Sequence, residues 1–165
     1  MIKKKVCMLG AFAVGKTSLV QRFVHSLFSE KYLTTVGVKI DKKQVVARDT
    51  PVDLILWDIY GEDEFQAVRP SYLRGASGCL LVVDGTRQHT LDTAQTLAKR
   101  TRDAVGDIPM VFVFNKSDLQ ASWEIEAVQL EELQRQGAPI IRTSAKDGSG
   151  VEQAFVTLVE MMLAE

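Results

Sequence analysis

At 165 residues the chain is the size of one domain and long enough to bury a core. Hydrophobic residues make up 46% and charged residues 25%, which argues against disorder, and a formal net charge of -1 gives no field that draws it to nucleic acid. No signal peptide or membrane-length apolar stretch is visible, and the final residues hold neither a prenylatable cysteine nor a polybasic tail. The expectation is a monomeric cytoplasmic protein without an evident membrane anchor.

Lys3-Lys4-Lys5 reads as the solvated start of a first strand, Lys5-Val6-Cys7-Met8-Leu9. Next comes Gly10-x-x-x-x-Gly15-Lys16-Thr17, with a helical pattern over 16–26 behind it. A strand, this loop and a helix in that order form the setting of a phosphate-binding P-loop. Gly10 and Gly15 let the backbone curl so that successive amides face an anion, and the helix adds its positive end. Lys16 reaches the terminal phosphates as a point charge, and the Thr17 hydroxyl suits Mg²⁺. A glycine-containing turn with an incidental lysine is the lesser alternative.

Residues 38–47 mix polar and apolar side chains and carry several lysines, the pattern of an exposed edge strand. Asp53-Leu54-Ile55-Leu56-Trp57 is a buried strand ending in Asp58, a second metal partner, with Gly61 three residues on. Alone, such an Asp is better read as a turn cap; beside a P-loop the Asp-x-x-Gly spacing gains weight. Cys79-Leu80-Leu81-Val82-Val83 and Met110-Val111-Phe112-Val113-Phe114 are apolar throughout, as parallel strands covered on both faces are. Leu91, Ala94, Leu97 and Ala98 mark a helix over 88–104; Val128, Leu130 and Leu133 mark another; Val151, Phe155, Leu158, Val159 and Met162 mark the last. Pro139-Ile140-Ile141-Arg142 is a further strand. The alternation implies one doubly wound α/β domain over 1–165, with binding groups at the carboxyl ends of its strands. Cys7 and Cys79, on separate apolar strands, read as buried packing thiols and not as a disulfide or metal pair.

Asn115-Lys116-Ser117-Asp118 selects the base. Asp118 can accept two hydrogen bonds from the N1 and 2-amino groups of guanine, and adenine would leave that carboxylate unpaired. Asn115 can hold the other purine edge and neighbouring loops, and the Lys116 stem can lie over the ring. Farther on, Thr143-Ser144-Ala145-Lys146 places the Ala145 amide where it can donate to the guanine carbonyl.

The segments 10–17, Thr35, 58–61, 115–118 and 144–146, in this order and spacing, resemble the Ras superfamily of small GTPases over nearly the whole chain. The likeness is greatest to the Rab branch, through Thr35-Val36-Gly37, Trp57-Asp58 and Ser71-Tyr72-Leu73-Arg74-Gly75-Ala76, the last resembling a helix after the second switch. The resemblance implies a P-loop NTPase G domain: a mostly parallel six-stranded sheet, one strand antiparallel, with five helices on both faces. It implies that GTP or GDP is bound by Ala13, Val14, Gly15, Lys16, Thr17, Ser18, Phe28, Thr35, Gly61, Asn115, Lys116, Asp118, Ser144, Ala145 and Lys146. Mg²⁺ is implied at Thr17, Thr35 and Asp58, and hydrolysis through Lys16, Thr35, Gly61 and Glu62. Phe28 reads equally well as a core residue at a helix end, and Trp57 as core or as an effector contact. Segments 29–37 and 59–72 would be switches, read by effector, exchange and activating proteins.

The chain departs from the family where hydrolysis is carried. In place of the family's Thr-Ala-Gly-Gln it has Ile59-Tyr60-Gly61-Glu62. A glutamine amide orients water and can donate to the transition state, whereas an ionised Glu62 only accepts and adds negative charge beside the γ-phosphate. Phe12 and Ala13 stand where Ras-type loops often have glycine, and Phe12 can crowd an arginine finger. Slow hydrolysis is therefore expected. Two alternatives stay open: Glu62 positions water as an acceptor while Arg69 supplies charge, or the protein is a binding module with little hydrolysis. A P-loop kinase or ATPase is disfavoured by 115–118 and by the absence of a recognisable lid.

Overall fold

The computed structural model describes residues 2–29, 37–59 and 68–164. β1 (Ile2–Gly10) is buried from Val6 onward; Val6 and Met8 join one core cluster, Cys7 and Leu9 the other. A strand that is apolar on both faces needs cover on both. On one side it comes from α1 (Lys16–His25) and α5 (Val151–Leu163), on the other from α2 (Pro70–Leu73), α3 (His89–Val105) and α4 (Ala127–Arg135). Phe23 of α1 stacks on Phe155 of α5, centroids 3.9 Å apart and planes 4° from parallel. Burying one such ring is worth roughly 1.5–3 kcal/mol, so this pair is a principal tie between the two helices.

The remaining strands are β2 (Val38–Ala47), β3 (Thr50–Ile59), β4 (Gly78–Asp84), β5 (Met110–Asn115) and β6 (Ile140–Arg142). Their order is β2-β3-β1-β4-β5-β6, with β2 antiparallel to β3 and the other neighbours parallel. This is the expected mostly parallel six-stranded α/β sheet. β1 lies between β3 and β4, so the direction of winding reverses at its carboxyl end, where a crevice forms. Gly10, Asp58, Asp84, Asn115 and Thr143 all stand at or just past the carboxyl ends of parallel strands, on one edge of the sheet.

Several expectations needed correction. The helix expected over 71–76 is one turn that stops at Leu73; Arg74 is extended and Gly75 has φ 78°. Lys5 is not a freely solvated strand start, since its Nζ donates to the Arg74 carbonyl at 2.7 Å and lies 3.6 Å from the Trp57 ring centroid. β3 begins at Thr50, not Asp53, because Arg48 (φ 51°) and Asp49 (φ 60°) close a two-residue hairpin that pairs Ala47 with Thr50. Val128 is 57% exposed and lies off the α4 stripe; Ile125, Leu130 and Leu133 bury that region. Both cysteines are buried and free, as expected, but they are also register neighbours on β1 and β4. The hydrogen bond from Cys79 lowers the pKa of Cys7, and the same bond together with burial raises that of Cys79.

Candidate functional site

β1 ends at Gly10 and α1 begins at Lys16, so the segment between them is a tight loop over the helix N-terminus. Ala13 has φ 62° and Gly15 φ 106°, and these left-handed positions turn the backbone inward. At Gly15 a Cβ would also collide with the side-chain amide of Asn115, so the residue is fixed by both conformation and space. Lys16 is 6% exposed, and its Nζ donates to the carbonyls of Gly10 (3.2 Å) and Ala11 (2.9 Å). Burial lowers its pKa to about 8; Asp58 pulls it upward and Arg87 downward. The cation is thus held within the curl of its own loop.

Thr17 donates from Oγ1 to Oδ2 of Asp58 at 2.6 Å, which joins the start of α1 to the end of β3. A hydroxyl beside a buried carboxylate is an all-oxygen donor set, the kind that a hard divalent cation takes. Val14 is fully buried and Ser18 half-buried in the first turn of α1. Phe28 follows α1 and is 37% exposed, which removes its alternative reading as a buried core residue. The expected roles of Thr35, Tyr60, Gly61 and Glu62 lie outside the described residues.

Asn115 connects three segments. Its Nδ2 donates to the Val14 carbonyl at 3.0 Å, and its Oδ1 accepts from Thr143 Oγ1 at 3.1 Å and the Ala145 amide at 3.3 Å. The Ala145 amide expected to face a base therefore bonds Asn115 here. Asp118 Oδ1 accepts from Ser144 Oγ at 2.8 Å, which fixes its carboxylate against the loop after β6. Lys116, with φ 69°, directs its Nζ toward Asp84 Oδ2 at 2.8 Å and the Ala13 carbonyl at 3.4 Å. Lys146 is exposed, and its carbonyl and that of Ala145 accept from Arg22 on α1. Residues 13–18, 58, 115–118 and 144–146 thus meet on one edge of the sheet, though α1 separates Phe28 from them in the chain.

Sequence reasoning missed four supports: Asp84, Arg87, Trp123 and Arg22. Asp84 is 1% exposed; burial alone would raise its pKa, but hydrogen bonds from Lys116, Thr86 and Arg87 hold it below the ordinary value. The signal that found Asp58, an acid closing an apolar strand, applies equally to Asp84. Trp123 donates from Nε1 to the Lys116 carbonyl at 2.9 Å, with its ring against Gly85, where any Cβ would overlap the indole. No local pattern announces that contact, because the two residues meet only through the fold.

The chain has relatives among known proteins. A family model described as Ras family matches residues 5–164. The chain is 32% identical to the Ras-related protein Rab-7b of Bos taurus over 164 residues, covering 97% of this chain and 82% of that one. It is 35% identical to the GTP-binding protein ypt1 of Schizosaccharomyces pombe over 156 residues, covering 93% and 77%. With the Ras-related protein Rab-25 of Bos taurus it shares 34% identity over 163 residues, covering 98% and 76%.

Proposed function

Because the chain belongs to the Ras family and is Rab-like, we propose that it is a guanine-nucleotide switch that binds GTP and GDP with Mg²⁺ and hydrolyses GTP slowly. The observation that carries the reading is the Asn115 side chain, which ties the phosphate-loop carbonyl of Val14 to the loop holding Ser144 and Ala145. One amide thereby sets the phosphate end and the base end of a nucleotide site in register. Asp118, oriented by Ser144, supplies the acceptor that guanine satisfies and adenine does not.

Thr17 and Asp58, joined by Thr35, would hold Mg²⁺, and their oxygen donors fit it. When bound, that ion offsets phosphate charge. Lys16 contributes a further cation, with α1 directing its N-terminal amides at the same place. Residues 1–165 act as one unit on this reading, in the cytoplasm, with effector, exchange and activating proteins meeting a surface that includes the exposed Ile40. Among the described residues no helix is long and apolar enough to cross a membrane.

Slow hydrolysis rests on Glu62, which stands where the family has glutamine. An ionised carboxylate cannot donate to the transition state. The test has two stages. Competition of GTP against ATP for the purified protein should show strong guanine preference, and equal competition would refute the site. Single-turnover cleavage should then be faster by about tenfold or more in Glu62→Gln, within the range of a lost transition-state donor. Equal rates would leave a nucleotide-binding protein but remove the account of its slowness.

A further inference from the structure

We propose that Arg87 is a positioning residue of the phosphate loop, holding the Phe12 carbonyl and tying that loop, through Asp84, to the loop that receives the base. The inference rests on the nucleotide-binding reading above and adds a part to it. Arg87 lies three residues past the end of β4, in the turn that leads to α3. Its Nη2 donates to the Phe12 carbonyl at 2.8 Å and its Nε to Asp84 Oδ2 at 3.0 Å. One planar guanidinium therefore spends two donors in two fixed directions, which a lysine ammonium cannot reproduce at the same spacing.

The anchor is itself rigid. Asp84 Oδ1 accepts from the Thr86 amide at 2.9 Å and the Thr86 hydroxyl at 2.7 Å, so the carboxylate cannot turn freely. Its other oxygen accepts from both Arg87 and Lys116. A simpler role for Arg87 would be to neutralise the buried Asp84. Lys116, 2.8 Å away, already does that, and neutralisation does not require a donor aimed at Phe12.

The links Phe12–Arg87–Asp84–Lys116 run from the crest of the phosphate loop to the base loop. They run beside the direct bond from Asn115 to Val14. A nucleotide that bridges two loops already fixed to each other loses less freedom on binding, and the gain appears as slower release.

Two variants test this: Arg87→Met, which keeps the stem and removes every donor, and Arg87→Lys, which keeps the charge. Release of a fluorescent GDP should quicken by about tenfold or more in Arg87→Met, the scale of a lost charge-assisted bond. Arg87→Lys should recover less than half of the loss on a logarithmic scale. Amide hydrogen exchange should quicken in the peptide covering 10–17 while α5 stays protected as in the wild type. Release within about twofold of wild type in Arg87→Met overturns the inference, and so does faster exchange spread through α3 and α5. Should Arg87→Met fail to fold, Arg87→Lys decides, and wild-type release there overturns it. A wild-type protein that retains no GDP refutes the parent reading instead.

Discussion

On the proposed reading the phosphate loop and the base loop serve one site, yet they are fixed in different ways. The phosphate loop is shaped by what it carries: Ala13 and Gly15 in left-handed conformations, and the Lys16 amine returning to carbonyls five and six residues back. The base loop is shaped from afar. Asn115 reaches residues 28, 30 and 101 positions away, and Asp118 is held by a hydroxyl 26 positions on. The first arrangement takes its curl locally and is then braced from outside at two carbonyls, Phe12 by Arg87 and Val14 by Asn115. The second exists only when four strands are in place, so its integrity reports on the whole sheet edge.

Removing the residue common to both loops should give the largest effect. Asn115→Ala leaves the Val14 carbonyl, the Ala145 amide and the Thr143 hydroxyl without this partner in a buried place. A loss of about 3 kcal/mol in stability is expected, with GDP release faster by about a hundredfold or more. Chemical denaturation and nucleotide release measure the two. A stable variant that released GDP normally would break the claim that Asn115 couples the loops.

Gly15→Ala sharpens the comparison from the other side. The new Cβ meets the Asn115 amide, and φ 106° is strained for alanine, so about 1–3 kcal/mol is expected. GDP affinity should fall by at least tenfold while the far-UV spectrum stays that of the wild type. A smaller change belongs to the base loop alone. Trp123→Phe keeps a ring against Gly85 and removes the bond to the Lys116 carbonyl, worth about 1 kcal/mol. GDP release should quicken about fivefold, with GTP and GDP affected alike; a change confined to GTP would place Trp123 in some other role.

This contrast also explains what the sequence could disclose. The phosphate loop was legible because its curl and its lysine are set within eight residues, and a short pattern holds those. The parallel strands β4 and β5 were legible because burial on both faces leaves no polar position in 79–83 or 110–114. The hairpin at Arg48 and Asp49 was not, since its left-handed residues are neither glycine nor asparagine. Nor was the short α2, because Ser71, Tyr72 and Leu73 carry no stop signal before Gly75. In the candidate site, type and spacing single out Asn115 and Asp118, and the fold brings both against the loop after β6. Arg87 and Trp123 could not, since each acts on a main-chain carbonyl whose own side chain says nothing about the encounter.

The chain has two tryptophans, and the fold has put them in contrasting optical surroundings. The Trp123 indole is hydrogen-bonded to the Lys116 carbonyl, with the Arg142 guanidinium 5.8 Å from its ring, whereas Trp57, on β3, lies 3.6 Å beneath the Lys5 ammonium. On the proposed reading, Trp123 emission would report the arrival of a base and Trp57 emission the approach of a protein to β2 and β3. With one tryptophan replaced by phenylalanine at a time, the protein becomes its own two-channel fluorometer, needing no attached dye.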